Sequence, residues 1–253
     1  MPTTLQARNW MERWDQQQEF YIADREERFA VIADVVTAVA GRPDPLIVDL
    51  GAGPGSLSVR LLDRIPAANV VAVDADPLLL GLARAAYGDR AGLRMVGHDL
   101  RTTGWVSALA LPRPADAVVS TTALHWLTRP QLADVYRDCA ELLRAGGVLV
   151  NGDHLAEAPD RPRLGRLTCR IAEARAARAG ANRTEDWGAW WDAVGSAPEL
   201  ADLISQRGAR PLEHSVPDVP TLDDHIALLQ QARFAEVGPV WQHGDDRVLV
   251  ALR

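Results

Sequence analysis

The chain has 253 residues, of which 47% are hydrophobic, so it is long enough to form one or two domains with a substantial core. No apolar run approaches the roughly 18 residues that span a bilayer, and the first ten residues lack the apolar segment of a secretion signal. The net charge of −7, with interspersed acids and bases, argues against a nucleic-acid binder, and the absence of lysine excludes Walker A and Schiff-base chemistry.

The first half of the chain alternates helical and extended patterns. Residues 21–40 have apolar side chains at the spacing of an amphipathic helix. Short continuous apolar runs are typical of buried parallel strands. They predict strands over residues 46–50, 69–74 and 93–99, with helices over residues 57–65 and 77–88 between them.

The second half continues this alternation and then changes. We predict a strand over residues 116–121, a helix over residues 129–147 with a glycine stop, and a strand over residues 148–153. A last helix over residues 221–234 begins at Thr221, with Asp224 at its capping-box position. The strand, HGDD turn and strand that follow are typical of a hairpin. Together the elements predict an α/β fold with a mainly parallel sheet that ends in an antiparallel pair.

The order of elements divides the chain into three parts. Residues 1–40 form a predicted N-terminal helical cap, and residues 41–154 together with 211–253 form the predicted core. Residues 155–210 have helical patterns without a strand signal. Because open α/β sheets bind ligands beyond the carboxyl ends of their strands, we expect this helical insert to cover that edge as a substrate lid.

A glycine-rich turn, VDLGAGPGS, joins the first predicted strand to the following helix. Gly51 and Gly53 allow a tight turn and the close approach of a ligand to the backbone. Ser56 stands where the dinucleotide fingerprint needs glycine or alanine, and Pro54 lacks a backbone donor for a pyrophosphate. Asp49 would repel a phosphate, so the turn favours a ligand that carries a cation and argues against a nicotinamide dehydrogenase.

Two aspartates lie at the ends of neighbouring predicted strands. Asp74 follows the glycine turn by about 20 residues, where a carboxylate can accept hydrogen bonds from both hydroxyls of a ribose. Capping of the next helix is the alternative for Asp74, but Asp76 is nearer to that helix. Asp99 can accept a hydrogen bond from an exocyclic amine such as that of adenine, and a turn aspartate is its alternative.

Five strings, in this order, resemble the class I S-adenosylmethionine (SAM)-dependent methyltransferases: IVDLGAGPGS, VAVDADP, GHDL, DAVVSTTALHWL and LLRAGGVLVNGDH. The resemblance covers residues 21–153 and 221–253, and it implies a Rossmann-like, seven-stranded, mostly parallel sheet. It also implies SAM as the cofactor and S-adenosylhomocysteine (SAH) as the product. Among small-molecule members, the chain is similar to the trans-aconitate methyltransferases.

The resemblance implies roles by position. The glycine turn and the acid before it would hold the methionine end of SAM, and the acids that end the second and third strands would hold the ribose and the adenine amine. Tyr21 and Arg28 match a tyrosine–arginine pair that lies near the cofactor carboxylate in trans-aconitate methyltransferases. The run after the arginine departs from that pattern, and a surface charge is the alternative for Arg28. The predicted cofactor residues are Tyr21, Arg28, Asp49, Gly51, Ala52, Gly53, Asp74, Ala75, His98, Asp99, Leu100, Ser120 and Thr121.

His125 and Trp126 lie just beyond the fourth predicted strand. The resemblance implies that this strand end points at the transferable methyl group, so both residues would meet the substrate. The indole N–H of Trp126 can hold one carboxylate oxygen while the other attacks. His125 would be a second donor, or the general base for a hydroxyl acceptor, and His154 is a rival base. For Trp126, packing in the core beside Leu124 is the alternative.

Further aromatic residues predict a wall around the substrate. The N-terminal segment and the tryptophan-rich insert would close over the site and exclude water, with ordinary packing as the alternative. The predicted substrate residues are Trp10, Trp14, Gln18, Tyr21, His125, Trp126, Trp187 and Trp191.

These observations predict a SAM-dependent methyltransferase that acts on a small molecule, with O-methylation of a carboxylate favoured. O-methylation of a hydroxyl and N- or C-methylation of a natural product are the alternatives. An RNA or protein methyltransferase fits less well, since the chain lacks a basic arm and an N-P-P-Y signature. A noncatalytic cofactor-binding protein also fits less well, because every cofactor position that can be matched is filled.

The remaining expectations concern partners and location. The methyl acceptor is the expected partner, with no nucleic acid and no membrane. Cys139 and Cys169 show no C-x-x-C spacing, which favours a reduced, cytoplasmic protein. The six histidines are scattered without paired ligand spacing, so no metal site is predicted.

Overall fold

The computed structural model describes residues 1–19, 21–179, 185–209, 212 and 218–253. A seven-stranded sheet forms the centre of this part of the chain. Its strands are β1 (Leu46–Leu50), β2 (Asn69–Asp74), β3 (Leu93–Gly97), β4 (Ala115–Thr121), β5 (Leu143–His154), β6 (Glu236–His243) and β7 (Asp246–Leu252). Their order across the sheet is β3-β2-β1-β4-β5-β7-β6. The first five strands pair in parallel and β7 is antiparallel to β5 and β6, so the predicted fold class is confirmed.

Helices connect and cover the strands. They are α1 (Thr4–Glu19), α2 (Arg25–Ala40), α3 (Ser56–Arg64), α4 (Pro77–Tyr87), α5 (Trp105–Ala108), α6 (Arg129–Leu142), α7 (Pro162–Ala179), α8 (Trp187–Gly195), α9 (Ala201–Gly208) and α10 (Leu222–Gln231), with 3₁₀ turns at Leu124–Trp126 and Pro198–Leu200. The predicted capping box of α10 is confirmed, because Asp224 N donates to Thr221 Oγ1 at 3.3 Å and Thr221 N donates to Asp224 Oδ2 at 3.0 Å.

The helix predicted before the fifth strand was too long. α6 ends at Leu142, and β5 begins at Leu143, which pairs with the start of β4. The extended backbone places Arg144 Nε 2.8 Å from Asp116 Oδ1. Gly146, at φ +69°, therefore lies inside the strand segment and does not end the helix, which is where the glycine-stop interpretation was wrong.

Two other predicted elements were also too long. The helix predicted from residue 21 begins at Arg25, because the chain turns sharply at Asp24, whose φ is +53°. The third strand ends at Gly97, so His98 and Asp99 lie in the loop beyond it. The predicted cofactor residue Tyr21 therefore lies in the turn before α2, and the predicted cofactor residues His98 and Asp99 lie in the loop after β3.

The two faces of the sheet bury separate apolar clusters, which follows from the alternation of side chains along each strand. Val48 and Val118 contribute to the face that packs against α6 and α10. Ile47 and Val119 contribute to the opposite face, against α2 and α3. Both faces of the central strands are therefore covered, and ligands can approach the sheet only at its edges and ends.

A third apolar cluster joins α1 to α4, α8 and α9. At its centre is the fully buried Trp190, whose ring meets the rings of Trp10 and Trp14 edge-to-face. The N-terminal helix and the second part of the predicted insert thus pack together beside the carboxyl ends of β1 and β2. The predicted junction between insert and core, at residues 210 and 211, lies outside the described residues.

A buried ion cluster ties the N-terminal half to the last strand. The guanidinium of Arg28, fully buried on α2, lies 2.6 Å from Asp246 Oδ1 at the start of β7. Arg175 of α7 donates to the other oxygen of Asp246 at 2.8 Å. The surface-charge alternative for Arg28 is therefore wrong.

No helix among the described residues is long and apolar enough to cross a bilayer.

Candidate active site

A cavity opens where β1, β2, β3 and β4 end. The loops after these four strands supply its floor, while α1, α4 and α8 supply further walls. This is the edge at which open α/β sheets bind ligands, and the predicted location is therefore where a cavity forms. The sequence-predicted residues that line it are Trp14, Gly51, Gly53, Asp74, Ala75, Asp99, Leu100, Trp126, Trp187 and Trp191.

The glycine turn brings backbone to the cavity surface. Gly51 and Gly53 have φ values of +61° and +55°, which glycine adopts at little cost. A Cβ atom on Gly51 would lie 2.4 Å from the Cβ of Ala123 in the loop after β4. Gly51 therefore allows two loops to approach each other closely, and this contact shapes the cavity floor.

Asp74 lies on the cavity surface at the tip of β2. Its Oδ2 accepts a hydrogen bond from Gly53 N at 2.7 Å, and its Oδ1 accepts one from Asp76 N at 2.7 Å. Burial raises the pKa of Asp74 to about 6. Asp76 caps α4 by accepting from Leu78 N at 2.8 Å, so Asp74 is not needed for that cap and its carboxylate faces the cavity.

Asp49 lies behind the glycine turn and not in the cavity wall. It is buried, and Ser58 Oγ donates to its Oδ2 at 2.6 Å. Its Oδ1 has no hydrogen-bond partner within the described part of the chain. Burial raises the pKa of Asp49 to about 7. A buried carboxylate oxygen without a partner fits a site that binds a cationic ligand group nearby.

Asp99 reaches the cavity together with Arg101, which sequence reasoning missed. The guanidinium and the backbone N–H of Arg101 both donate to the Asp99 carboxylate, at 2.8 and 2.9 Å. Burial alone would raise the pKa of Asp99, but these hydrogen bonds outweigh it and hold the pKa below its usual value. An amine that binds Asp99 would therefore share an ionised carboxylate with Arg101.

The loop after β4 forms the opposite side of the cavity. Thr122, at φ +54°, and Ala123 line the cavity and lead into the 3₁₀ turn. In this turn Leu124 is buried, whereas Trp126 is 39% exposed and lines the cavity. The alternative of a tryptophan packed in the core is therefore wrong for Trp126.

His125 lies next to Trp126 in the 3₁₀ turn and makes a partly buried contact with a carboxylate. Its Nδ1 is 3.0 Å from both carboxylate oxygens of Asp153, a fully buried residue near the end of β5. Its ring centroid is 4.8 Å from that of Trp126. Burial alone would lower the pKa of His125, but the attraction and hydrogen bond of Asp153 raise it above its usual value. This is the arrangement that orients a histidine as a general base.

The other predicted base, His154, is not among the residues that line the cavity. Its Nδ1 lies 3.2 Å from Asp245 Oδ1 in the β6–β7 hairpin. Several predicted cofactor residues also make contacts behind the wall. Ser120 Oγ donates to Leu50 O at 2.8 Å, Ala52 N donates to Val73 O at 3.0 Å, and His98 Nδ1 lies 3.1 Å from Asp99 O.

The predicted tyrosine–arginine pair is split in the structure. Arg28 contacts Thr121 Oγ1 at 3.3 Å and Thr122 Oγ1 at 2.8 Å, so it supports the cavity loop from behind while pairing with Asp246. Tyr21 is 47% exposed, and its hydroxyl accepts from Trp187 N at 3.3 Å. Neither residue lines the cavity, and their predicted contact with the cofactor carboxylate stays a prediction.

The aromatic residues predicted for the substrate divide into two groups. Trp14, Trp187 and Trp191 line the cavity beside Trp126. Trp10 does not, because it is buried in the α1–α4–α8–α9 cluster and its Nε1 donates to Glu199 at 3.1 Å. Gln18 is also buried and lies outside the cavity lining.

Sequence reasoning missed several residues that build the site. Asp153 directly precedes His154 on β5. Because β5 pairs with β4, the position of Asp153 near the end of β5 could have indicated that it lies close to His125. Asp15 of α1 was also missed. It accepts from Ser56 Oγ at 2.6 Å and pairs with Arg25 and Arg60 at 2.7 and 2.8 Å, which fastens α1 beside the glycine turn.

The residues that the structure describes contain no group of three or more His, Cys, Asp or Glu side chains that could hold a metal ion. The groups at the cavity that can contact a ligand include the carboxylates of Asp74 and Asp99, the backbone of the glycine turn and the indole of Trp126, with the imidazole of His125 beside it.

Comparison with known proteins identifies the family of the chain. Residues 47–147 match the family described as a methyltransferase domain, and a curated methyltransferase of which this chain covers 71% is 30% identical to it. The chain belongs to the class I SAM-dependent methyltransferases, and the cofactor of this class is SAM. The curated relatives include trans-aconitate 2-methyltransferases.

Two of these relatives and one solved structure are informative. The protein of Azoarcus sp. (strain BH72) is 33% identical over 171 residues, with 66% of this chain and 62% of the relative covered. The protein of Methylobacterium nodulans is 30% identical over 202 residues, with 75% and 71% covered. An O-methyltransferase family protein from Burkholderia thailandensis shares the fold at a TM-score of 0.55 and 16% identity, with 96% of this chain and 68% of that chain covered.

The match to some relatives is partial. The chain spans 62% of the Azoarcus relative and 43% of a trans-aconitate 2-methyltransferase from Mycobacterium ulcerans, which is less than two thirds of the length of either.

Proposed function

We propose that this protein transfers the methyl group of SAM to a carboxylate oxygen of a small-molecule acceptor. The position of Trp126 carries the proposal, because its partly exposed indole lines the same cavity as Asp74 and the glycine turn. An indole N–H donates hydrogen bonds and accepts none, which suits a carboxylate. The curated relatives named trans-aconitate 2-methyltransferase support this acceptor class, since aconitate is a carboxylic acid.

The cavity residues fit SAM. Asp74 would accept hydrogen bonds from the ribose hydroxyls, and Asp99 would accept one from the adenine amine beside Arg101. The backbone at Gly51 and Gly53 would lie against the methionine end. When bound, SAM supplies an electrophilic methyl carbon on a sulfonium.

The remaining work of the chain is positioning. A carboxylate is already ionised at neutral pH, so it needs no general base. It must be held roughly 3–3.5 Å from the methyl carbon with its orbitals aligned. The N–H of Trp126 would fix one carboxylate oxygen so that the other points at the cofactor. We also infer that the insert over residues 155–210 forms a lid, because Trp187 and Trp191 of α8 face the cavity and would exclude water.

Methyl transfer from labelled SAM to a panel of small molecules tests the proposal. The panel pairs each carboxylic acid with the alcohol or phenol of the same carbon skeleton. We expect label in products that release methanol on mild base treatment, as methyl esters do. Label found only in base-stable ethers would contradict a carboxylate acceptor.

O-methylation of a hydroxyl is a second candidate function, which the contact between His125 and Asp153 favours. A hydroxyl usually needs a base when it attacks, and a histidine oriented by a buried carboxylate is suited to that role. The two candidates differ in their pH dependence, which separates them experimentally.

A further inference from the structure

We propose that the methyl acceptor is a planar aromatic molecule that carries no more than one negative charge. The inference rests on the proposed function, since it specifies the acceptor of the same cavity. It is argued from two observations, the tryptophan side chains that form the outer wall and the pairing of the charges around them.

The outer wall of the cavity consists of indole rings from separate elements. Trp187 and Trp191 lie one helical turn apart on α8, so their side chains project from the same face. Their ring centroids are 5.8 Å apart at an interplanar angle of 64°. Trp126 reaches the same cavity from the loop after β4. Trp126 and Trp187 are 39% and 42% exposed, and exposed aromatic surface that faces a cavity is typical of a binding site.

The wall is held in position by contacts behind it. The buried ring of Trp190 meets Trp191 edge-to-face at 5.0 Å. The guanidinium of Arg207 lies 4.0 Å from the ring centroid of Trp191, and its Nε donates to Asp76 at 2.7 Å. Trp191 is thus fixed by packing and by a cation–π contact before any ligand binds. A preformed aromatic surface loses little freedom when a flat ring stacks on it.

The charges at the cavity disfavour an acceptor with several carboxylates. Asp76 is paired with Arg207, and Asp99 is paired with Arg101. Asp74 accepts its hydrogen bonds from backbone N–H groups. The guanidinium of Arg101, which lines the cavity, and that of Arg207, which lies behind Trp191, are therefore each already paired with a carboxylate, and Asp74 adds a further acid to the lining. Each additional carboxylate of the acceptor would lose its hydration beside the carboxylates of the wall, which is unfavourable.

An aromatic monocarboxylate satisfies both observations. Its ring would stack against the indoles, while its one carboxylate would meet the N–H of Trp126. A tricarboxylate such as trans-aconitate would gain neither the stacking nor a compensating cation from the described wall. The acceptor class inferred for this chain thus differs from the one in the names of its curated relatives.

Calorimetry on the full-length protein loaded with SAH tests the inference through binding, separately from methyl transfer. The probes are 1-naphthoate, hexanoate as a non-aromatic monocarboxylate, and trans-aconitate. We expect 1-naphthoate to bind at least about tenfold more tightly than either other probe, which corresponds to an aromatic contact of the usual strength. Equal or tighter binding of hexanoate or trans-aconitate would overturn the inference.

Variants locate the binding site on the wall. Trp187→Ala should weaken 1-naphthoate binding at least about fivefold and leave SAH binding unchanged, because its ring is exposed at the cavity. Leu167→Ala, which shortens an exposed apolar residue on α7 outside the cavity, should change neither. Undiminished naphthoate binding in Trp187→Ala would also overturn the inference. Binding of the aromatic probe without transfer to any carboxylate would instead contradict the proposed function alone.

Discussion

The Nδ1 atom of His125 lies 3.0 Å from both carboxylate oxygens of Asp153, across the ends of two adjacent strands. Asp153 is fully buried, and its attraction for the imidazolium outweighs burial and raises the pKa of His125. Arg28 on α2 and His154 on β5 also face this pair, and both oppose the charge on His125. Burial, with a smaller contribution from His125, lowers the pKa of the nearby His225 on α10 to about 4.

This contact predicts a pH dependence that identifies the acceptor. If His125 is a general base, it must be neutral to act, so turnover rises as the pH increases through its raised pKa. Asp153→Asn removes the attraction and lowers the pKa of His125. The rising limb of the pH profile, which is the range over which turnover increases with pH, therefore moves to lower pH. With a carboxylate acceptor, turnover has no such limb. The check is kcat/KM for the acceptor between about pH 5.5 and 9, the range in which histidines titrate, with SAM kept saturating at each pH so that the pH dependence of SAM binding does not contribute.

Asp245→Asn is the matched control, because Asp245 pairs with the other candidate base, His154. It should leave the limb in place. A limb that moves in Asp245→Asn but not in Asp153→Asn would assign the base to His154. A loss of turnover in Asp153→Asn at every pH, without any shift of the limb, would make Asp153 a purely structural residue.

Trp126→Phe tests the role of the indole N–H. The substitution keeps an aromatic ring in the cavity wall but removes the donor. We expect turnover to fall about 10- to 100-fold, the range for loss of one hydrogen bond to a charged group, with SAM affinity unchanged. Steady-state kinetics and calorimetry measure the two quantities. Trp241→Phe on β6 is the control, and unchanged turnover in Trp126→Phe would refute the assignment.

Asp74→Ala tests the cofactor site. The carboxylate is the acceptor offered at the tip of β2, so its loss should weaken SAM binding at least about tenfold, as expected for hydrogen bonds to an ionised group. Asp63→Ala, which removes an exposed acid on α3, should have no effect. SAM affinity equal to that of the wild type in Asp74→Ala would place the cofactor elsewhere.

The raised pKa of Asp74 adds a dependence on pH. Burial raises this pKa to about 6, and the ionised carboxylate is the form that accepts hydrogen bonds best. Protons therefore compete with SAM, and affinity should fall as the pH drops through about 6. Calorimetry at a series of pH values measures the trend, which should be absent in Asp74→Ala.

Asp246→Asn tests the buried ion cluster. The substitution leaves the guanidinium groups of Arg28 and Arg175 buried without their shared anion. Breaking a buried pair on one side costs about 3–5 kcal/mol in the free energy of unfolding. Asp44→Asn breaks the solvent-exposed pair with Arg42 and should not change stability measurably. Denaturant unfolding measures the free energy of unfolding of both variants and of the wild type. If Asp246→Asn were as stable as the wild type, the buried ion cluster would not contribute to stability.

Most of the sheet could be predicted because its central strands are buried on both faces and read as continuous apolar runs. The sequence did not predict α1 as a separate helix within the N-terminal helical cap. Its buried face is defined by contacts with α4 and α8, which local periodicity does not show. The end of α6 was misplaced for a related reason. The glycines that resemble a helix stop lie between Leu143 and Val148, which pair with β4. Gly146 N donates to Arg253 O, and Gly147 O accepts from Arg253 N, so a contact far along the chain holds them in β5.

The lining of the cavity could be predicted where its residues lie at or just after strand ends, as for Asp74, Asp99 and Trp126. How deeply a side chain is buried, and which distant residue it pairs with, could not be predicted from the sequence. Trp10 and Trp14 share one face of α1 and both contact Trp190 of α8, yet Trp10 is in the core and the partly buried Trp14 is in the cavity wall. Asp153 was missed because its partner, His125, is brought to it by strand pairing and not by sequence spacing.

The strand order has a consequence for the synthesis of the chain. β7 is the last strand in the sequence, but it lies between β5 and β6 in the sheet. Until residues 246–252 leave the ribosome, β5 presents an unpaired edge, and the guanidinium of Arg28 lacks the partner that lies 218 residues later. A nascent chain that has already made every loop of the cavity therefore cannot hold the site in its final form until β7 has been synthesised.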